Sequence, residues 1–318
     1  MTRGTAKLVA WILICCAFSC VEAFVWVQRG VGDLSPMSRK LPAAGDVTHV
    51  RVPAASSTKM SVSMEGKRSR TYEVLSDCRV KRASGGEEID LVDAWEPRPG
   101  RRTIVAFFTH TADFNSWEYA QKLRHYLPQI DDAGVGLVGV SLGMVEAARD
   151  FCAQTGFPLD NMFMDEEGIA YSKLGFSNGF EPPLPGGLKV NPYLRLLPML
   201  AGIGSPGTIQ AVLKGYTGDR SANVEWISSA MTIANHKDFD MLGRQGARPL
   251  ELATLRLQNM QQILTKWNEL SPPNKELITQ QGGTLVFDGK EAIYSFKDKG
   301  ILVYTDVLEM LKEIGVEV

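Results

Sequence analysis

The segment from Thr103 to Gly175 alternates apolar runs with amphipathic stretches, and this order restricts the chain to a small set of folds. TIVAFF is almost wholly apolar, which is typical of a strand covered on both faces. VGLVGVSLG and NMFMD are predicted as further strands, and WEYAQKLRHYLPQI, VEAARDFCAQTG and IAYSKLG as helices, the last two ending at Gly156 and Gly175. The order strand, helix, strand, helix, strand predicts an α/β layer with a partly parallel sheet.

Hairpins are predicted on either side of this layer. From Thr71 the run YEVLSDCRVKRA alternates apolar and polar side chains as a half-buried strand does, and Ser84-Gly85-Gly86 supplies a turn before EIDLVDAW. Near the C-terminus, GTLVFDG and AIYSFKD predict a second hairpin, and DVLEMLKEIG predicts a last helix. We therefore expect a chain that opens and closes with hairpins around the α/β layer.

Roughly residues 180–280 form an insertion that the α/β pattern does not require. Its opening is rich in proline and glycine, which predicts an extended loop. Three helices are expected next: a short apolar one interrupted at Pro198, one with Ser205 as N-cap and Pro206 at its first position, and a long one in PLELATLRLQNMQQILTKWNEL. We interpret the insertion as a helical subdomain packed on the α/β layer.

The first residues are typical of a targeting signal. Basic residues precede an apolar run from Leu8 to Val21, shorter than the roughly 20 residues that span a bilayer, so we predict a signal peptide over residues 1–23. Residues 24–64 carry serine, proline and basic side chains, as transit peptides do. The folded domain would then occupy residues 65–318.

A signal peptide followed directly by Phe24 and a transit-like segment resembles the bipartite leader of algae with secondary plastids. That resemblance implies a plastid protein, in the stroma or associated with thylakoids. An ordinary secreted protein with a disordered N-terminus is the alternative. The apolar stretch from Leu194 to Ile203 also has two interpretations: buried core, or contact with a partner or a thylakoid membrane.

The composition excludes several classes of function. A net charge of -2, with 22% charged residues, predicts neither nucleic acid nor an anionic membrane as a general partner. Three of the five cysteines lie in the signal run, which leaves Cys78 and Cys152. These two thiols are too far apart in sequence for a C-x-x-C pair and too few for a disulfide framework or a zinc site. We predict no metal and no cofactor.

The loop after TIVAFF is the place where a thioredoxin-type fold carries its chemistry, because a helix N-terminus lowers the pKa of a thiol. Here that loop is THTADFNS, from Thr109 to Ser116, and it contains no sulfur. Asp113 is a good N-cap for the following helix, which gives the loop a structural role.

Several segments resemble the peroxiredoxin-like 2 branch of the AhpC/TSA antioxidant family, over about Thr71 to Gly315. They include DAGVGLVGVSLG, MFMDEEGIAYSKLGFSNGF and QQGGTLVFDG. NPYLRLLPMLAGIGSPGTIQAVLKGYTGDR, RPLELATLRLQNM and KDKGILVY are similar to a form found in cyanobacteria and plastids. The resemblance implies a thioredoxin-like (peroxiredoxin-like) α/β fold, with a central mixed sheet flanked by helices and a helical insertion.

In that family the loop reads Phe-Gly-Cys-x-x-Cys, and its two cysteine positions fall here on Asp113 and Ser116. A carboxylate cannot form a sulfenic acid, and a serine without a neighbouring base does not reduce peroxide. We therefore expect a degenerate redox loop, marked by Thr111, Asp113 and Ser116. A second hypothesis gives His110 and Asp113 an acid/base role on a non-redox substrate.

The expected function is therefore to bind a protein partner or small ligand in the plastid, without thiol peroxidase activity at the loop. The alternative is an antioxidant enzyme that uses Cys152 or Cys78. We expect Cys152 to be buried on its helix as a small hydrophobic side chain, and Cys78 to be similarly inert.

Overall fold

Among the residues that the structure describes, seven strands form one mixed sheet. The computed structural model of the chain describes residues 69–182, 190–217, 225–233 and 249–318, so the expected signal and transit segments lie outside the described residues. The strands are β1 (Arg79–Arg82), β2 (Glu88–Asp90), β3 (Arg102–His110), β4 (Gly136–Leu142), β5 (Met162–Asp165), β6 (Gly283–Asp288) and β7 (Glu291–Lys297). Their order across the sheet is β2-β1-β5-β4-β3-β6-β7.

Strand β3 lies near the middle of the sheet. It pairs in parallel with β4, which pairs in parallel with β5, and the remaining pairs are antiparallel. Val105 lies opposite Val138 on one side and opposite Leu285 on the other. Residues 103–110 are all buried, which explains why this stretch is so apolar. The predicted central strand and partly parallel sheet are confirmed.

Helices cover both faces of the sheet. Ile104, Ala106 and Phe108 of β3 belong to one hydrophobic cluster, and Val105 and Phe107 to another, as the alternation of side chains along a strand requires. The helices are α1 (Arg70–Ser76), α2 (Phe114–His125), α3 (Leu127–Asp132), α4 (Val145–Thr155), α5 (Ile169–Leu174), α6 (Pro192–Leu200), α7 (Thr208–Thr217), α8 (Glu225–Ile233), α9 (Pro249–Thr265), α10 (Trp267–Leu270) and α11 (Val307–Glu313). The α/β fold with helices flanking a mixed sheet is confirmed.

The opening of the described chain differs from its prediction. The run after Thr71 begins as helix α1 and becomes strand only at β1, so the predicted strand was wrong over its first half. The side chain of Ser69 caps this helix by accepting a hydrogen bond from the N–H of Tyr72 at 3.2 Å. Tyr72 and Leu75, three residues apart, are both buried, a spacing that one helix face satisfies.

The described part of the insertion is helical, as predicted, but two details differ, and most of the expected proline- and glycine-rich loop lies outside the described residues. Helix α6 continues through Pro198 and ends at Leu200, so the expected interruption is absent from this described helix. Helix α7 begins at Thr208, so Pro206 lies before the helix, while the Ser205 hydroxyl lies 2.7 Å from the Thr208 hydroxyl and accepts from the N–H of Ile301 at 2.8 Å. No helix in the described ranges is both long and apolar enough to cross a bilayer.

Candidate functional site

Asp113 organises the loop between β3 and α2. It is the N-cap of α2, and its Oδ2 accepts a hydrogen bond from the N–H of Ser116 at 3.0 Å. The same oxygen accepts from the hydroxyls of Thr109 at 2.5 Å and Ser116 at 3.1 Å. The Ser116 hydroxyl oxygen also accepts from the N–H of Thr109 at 3.0 Å. The loop is thus held by three side chains that bond to one another.

Residues from distant parts of the chain cover this loop. The Thr111 hydroxyl donates to the carbonyl of Leu270 at 2.5 Å, at the end of the insertion. On another side, the N–H of Leu302 donates to Oδ1 of Asn115 at 3.0 Å. Thr111 and Asn115 are buried and Ser116 is only 2% exposed, whereas Asp113 keeps partial exposure. The loop is therefore sealed against solvent at most of its positions.

The His110 side chain makes its contacts in the protein interior and not with the Asp113 carboxylate. Its Nε2 lies 3.1 Å from the carbonyl oxygen of Ile278, and its ring meets Trp267 edge-on at 6.4 Å between centroids. Burial lowers the pKa of His110, so the neutral ring donates from Nε2. Within the described part of the chain, Nδ1 has no hydrogen-bond partner. The backbone N–H of Asp113 donates to the carbonyl of His110 at 2.9 Å, but no hydrogen bond joins their side chains in the described ranges, so the proposed acid/base pair is not assembled.

The two thiols lie outside the loop. Cys152, on α4, is free and buried in the same cluster as Trp117, and burial raises its pKa to about 12. Cys78 precedes β1 in the other cluster, and its thiol donates to the carbonyl of Val74 at 3.4 Å. Burial also raises the pKa of Cys78, against the lowering effect of Lys173. The thiols are thus protonated at neutral pH and lie on opposite faces of the sheet.

A second carboxyl group lies beyond the loop. Burial raises the pKa of Asp298 well above its ordinary value, and the negative charge of Asp113 adds to the effect. The Asp298 backbone N–H donates to the carbonyl of Gly282 at 3.1 Å, while its Oδ1 is buried without a hydrogen-bond partner among the described residues. The groups around the loop are therefore hydroxyls, carboxyls and a neutral imidazole. No cluster of His, Cys, Asp and Glu in the described ranges could hold a metal ion.

The outer face of α2 carries a polar interface that the sequence did not reveal. Glu118 is buried and accepts from Arg256 of α9 at 2.7 and 3.2 Å. Lys122 lies 3.2 Å from the same carboxylate, and the hydroxyl of Tyr304 donates to it at 2.6 Å. These partners hold the pKa of Glu118 well below its usual range, despite the opposing effect of burial.

The interface continues one turn along the two helices. The side-chain amides of Gln121 and Asn259 exchange two hydrogen bonds, each 3.1 Å long. The polar spacing of residues 118, 121 and 122 on α2 was the available sequence signal, but alone it indicates only a solvated helix face. The insertion is anchored to the core through this interface.

Comparison with known proteins identifies a family whose model matches this chain. The model of the AhpC/TSA antioxidant enzyme family matches residues 122–300, which is more than half of the chain and begins after the loop. A cysteine-to-serine mutant of Xanthomonas campestris peroxiredoxin Q is 21% identical, over 37% of this chain and 69% of that one, with a TM-score of 0.29. The bacterioferritin comigratory protein of the same organism, in a trapped intermediate or ligand complex, is 20% identical with the same coverages and TM-score. No curated protein matches.

Proposed function

The chain belongs to the AhpC/TSA antioxidant enzyme family, and we propose that it is a peroxiredoxin-like member that acts by binding and not by thiol peroxidase chemistry at its loop. One observation carries this proposal. At the two positions where the family resemblance puts cysteines, a carboxylate and a hydroxyl are bonded to each other, with the Ser116 hydroxyl 3.1 Å from Oδ2 of Asp113.

Peroxide reduction needs an accessible sulfur that becomes a sulfenic acid and is then reduced by a second thiol. Asp113 cannot be oxidised in this way. Ser116 is 2% exposed and its hydroxyl already donates within the loop. The remaining thiols, Cys78 and Cys152, are buried and have raised pKa values, so neither is an effective nucleophile. The chemistry of the described residues favours a binding role.

A peroxide-consumption assay with a dithiol reductant tests this proposal. The wild type and the double variant Cys78→Ala/Cys152→Ala are compared with buffer alone, with circular dichroism to verify that both are folded. We expect both proteins to match the uncatalysed rate. Turnover by the wild type that the double variant lacks would instead support the alternative, an antioxidant enzyme using Cys152 or Cys78.

The binding surface that we favour is the helical insertion, because the loop itself is largely covered. Thr111 is hydrogen-bonded to Leu270 and Asn115 is hydrogen-bonded to Leu302. Asp113 is only partly exposed. The occupants expected from the sequence are a protein partner, a small ligand or a thylakoid membrane. Affinity purification of the chain, compared with a variant altered on the insertion, tests for a protein partner.

We also propose a plastid location, supported by the apolar run from Leu8 to Val21, the residue Phe24 after it and the transit-like composition of residues 24–64. Fusing residues 1–64 to a fluorescent protein in an alga with a secondary plastid tests this. Plastid fluorescence is expected, with a Phe24→Ala fusion as the matched control. Secretion of the wild-type fusion would support the ordinary secreted alternative.

A further inference from the structure

Helix α6, the first part of α7 and the turn between them expose a group of large aliphatic side chains. We call this segment, residues 192–213, the apolar hairpin. Leu194, Ile203, Ile209 and Leu213 are 55%, 54%, 49% and 56% exposed. The other large hydrophobic side chains exposed in the described ranges are scattered over the chain: Met144, Ile169, Leu257, Ile293 and Val318. Several exposed large aliphatic side chains within one short segment are typical of an interaction site.

The outer surface of the apolar hairpin carries no charge. Arg195 is the one charged residue of this segment in the sequence. It faces inward, with a side chain only 5% exposed, and pairs with Glu181 at 3.3 Å and Glu276 at 2.8 Å. In the sequence, Lys189 is the nearest charged residue before this segment and Lys214 follows it directly.

We propose that the apolar hairpin inserts into the surface of a lipid bilayer. Half-exposed aliphatic side chains in a stretch bounded by lysines suit the boundary between acyl chains and headgroups. Helices α6 and α7 have 9 and 10 residues, about half of what crosses a bilayer, so the contact is peripheral. The net charge of -2 gives no long-range attraction to an anionic surface, so the aliphatic side chains carry the binding.

A second copy of the chain fits this surface less well. A stable protein interface buries about 800 Å² on each partner, through roughly 20 to 30 residues. Four half-exposed aliphatic side chains fall far short of that. Arg195 is already neutralised by Glu181 and Glu276, so the hairpin presents no charged group that would fix the orientation of a protein partner.

This inference rests on the proposed binding role and names a lipid bilayer as the binding partner. The peroxide assay tests the absence of thiol peroxidase activity independently of lipid binding. The test is co-sedimentation of the mature protein, which lacks the run from Leu8 to Val21, with vesicles of phosphatidylcholine and phosphatidylglycerol. The triple variant Leu194→Gln/Ile203→Gln/Ile209→Gln changes only exposed side chains. Ile293→Gln, on β7, is the matched control because Ile293 is 44% exposed outside the hairpin.

We expect the wild type and Ile293→Gln to bind the vesicles equally, and the triple variant to bind at least about tenfold more weakly. Absence of wild-type binding, or equal binding by the triple variant, would overturn the proposal. So would a concentration-dependent dimer that the triple variant abolishes, since a second copy would then occupy the hairpin.

Discussion

Ser116 gives Asp113 two hydrogen bonds, one from its backbone N–H at 3.0 Å and one from its hydroxyl at 3.1 Å. The two positions that carry sulfur in the family resemblance are therefore in direct contact here. Their side chains have structural roles at the start of α2, as an N-cap and a buried hydroxyl, and this geometry leads to two predictions about the loop.

Replacing both residues by cysteine should produce a pair able to form a disulfide. In Asp113→Cys/Ser116→Cys, two thiols would occupy adjacent side-chain positions at a helix N-terminus, a setting that favours the thiolate. We expect mild oxidation to remove two titratable thiols from the double variant, measured in denaturant, and none from the single variant Asp113→Cys. If the double variant kept all its thiols, the residues that cover the loop would be holding the two sulfur atoms too far apart for a disulfide.

Removing the Asp113 cap should destabilise the protein more than removing an ordinary cap. Asp113→Ala leaves three donors without their acceptor, and we expect a loss of about 2 kcal/mol in urea unfolding. Asp306 caps α11 through one hydrogen bond, from the N–H of Glu309 at 3.1 Å, so Asp306→Ala should cost about 1 kcal/mol or less. Equal losses in the two variants would contradict a special role for Asp113.

His110 should make stability depend on pH near neutrality. Burial lowers its pKa in the folded state below the unfolded value of about 6.5. The unfolded chain therefore takes up a proton first, and folded stability falls as pH drops below about 6.5, by at most about 1.4 kcal/mol per pH unit. His110→Gln should flatten this decline between pH 7 and pH 5.

The matched control for this pH effect is His125→Gln. The His125 ring is about half-buried, and burial lowers its pKa as well. Its variant should flatten the decline less than His110→Gln does. Unfolding by urea at several pH values measures both, and a His110→Gln profile parallel to that of the wild type would refute the prediction.

Glu118→Gln should lower the free energy of unfolding by about 3 kcal/mol, because Arg256 then stays buried opposite a neutral amide. Lys266→Met removes an ion pair whose side chains are 38% and 39% exposed, so it should cost under about 1 kcal/mol.

The lowered pKa of Glu118 stabilises the fold at pH values above the unfolded pKa of about 4.3, and this stabilisation is lost as the pH falls below that value. The difference in free energy of unfolding between the wild type and Glu118→Gln should therefore become smaller at acid pH. A difference that stays constant with pH would contradict this prediction.

The sheet and its flanking helices were largely predictable because their signals are local. The apolar run of β3 indicates burial on both faces, and Gly156 and Gly175 end their helices at φ values of 74° and 65°, which glycine adopts readily. The α1 helix was missed because Tyr72, Val74 and Cys78 fall at the period-2 spacing of a strand. The cap by Ser69 and the burial of both Tyr72 and Leu75, three residues apart, identify the helix.

The surroundings of the loop could not be predicted, since they depend on contacts between distant residues. Thr111 and Leu270 are 159 positions apart, and Asn115 and Leu302 are 187 apart. The sequence shows that sulfur is absent from the loop, but not that the loop is covered. Likewise, a glutamate at position 118 is typical of a solvent-exposed helix face, and only the structure shows that Arg256 packs against it.

The position of the insertion also has a consequence for how the protein folds. Strand β3 pairs with β4, which follows soon after it, and with β6, which begins only at Gly283. During synthesis the central strand therefore emerges long before its second neighbour, with one edge and much of its apolar surface uncovered. Closing so long a loop carries an entropic cost and slows folding. The nascent chain should consequently be prone to aggregation at this open edge until the last hairpin is made.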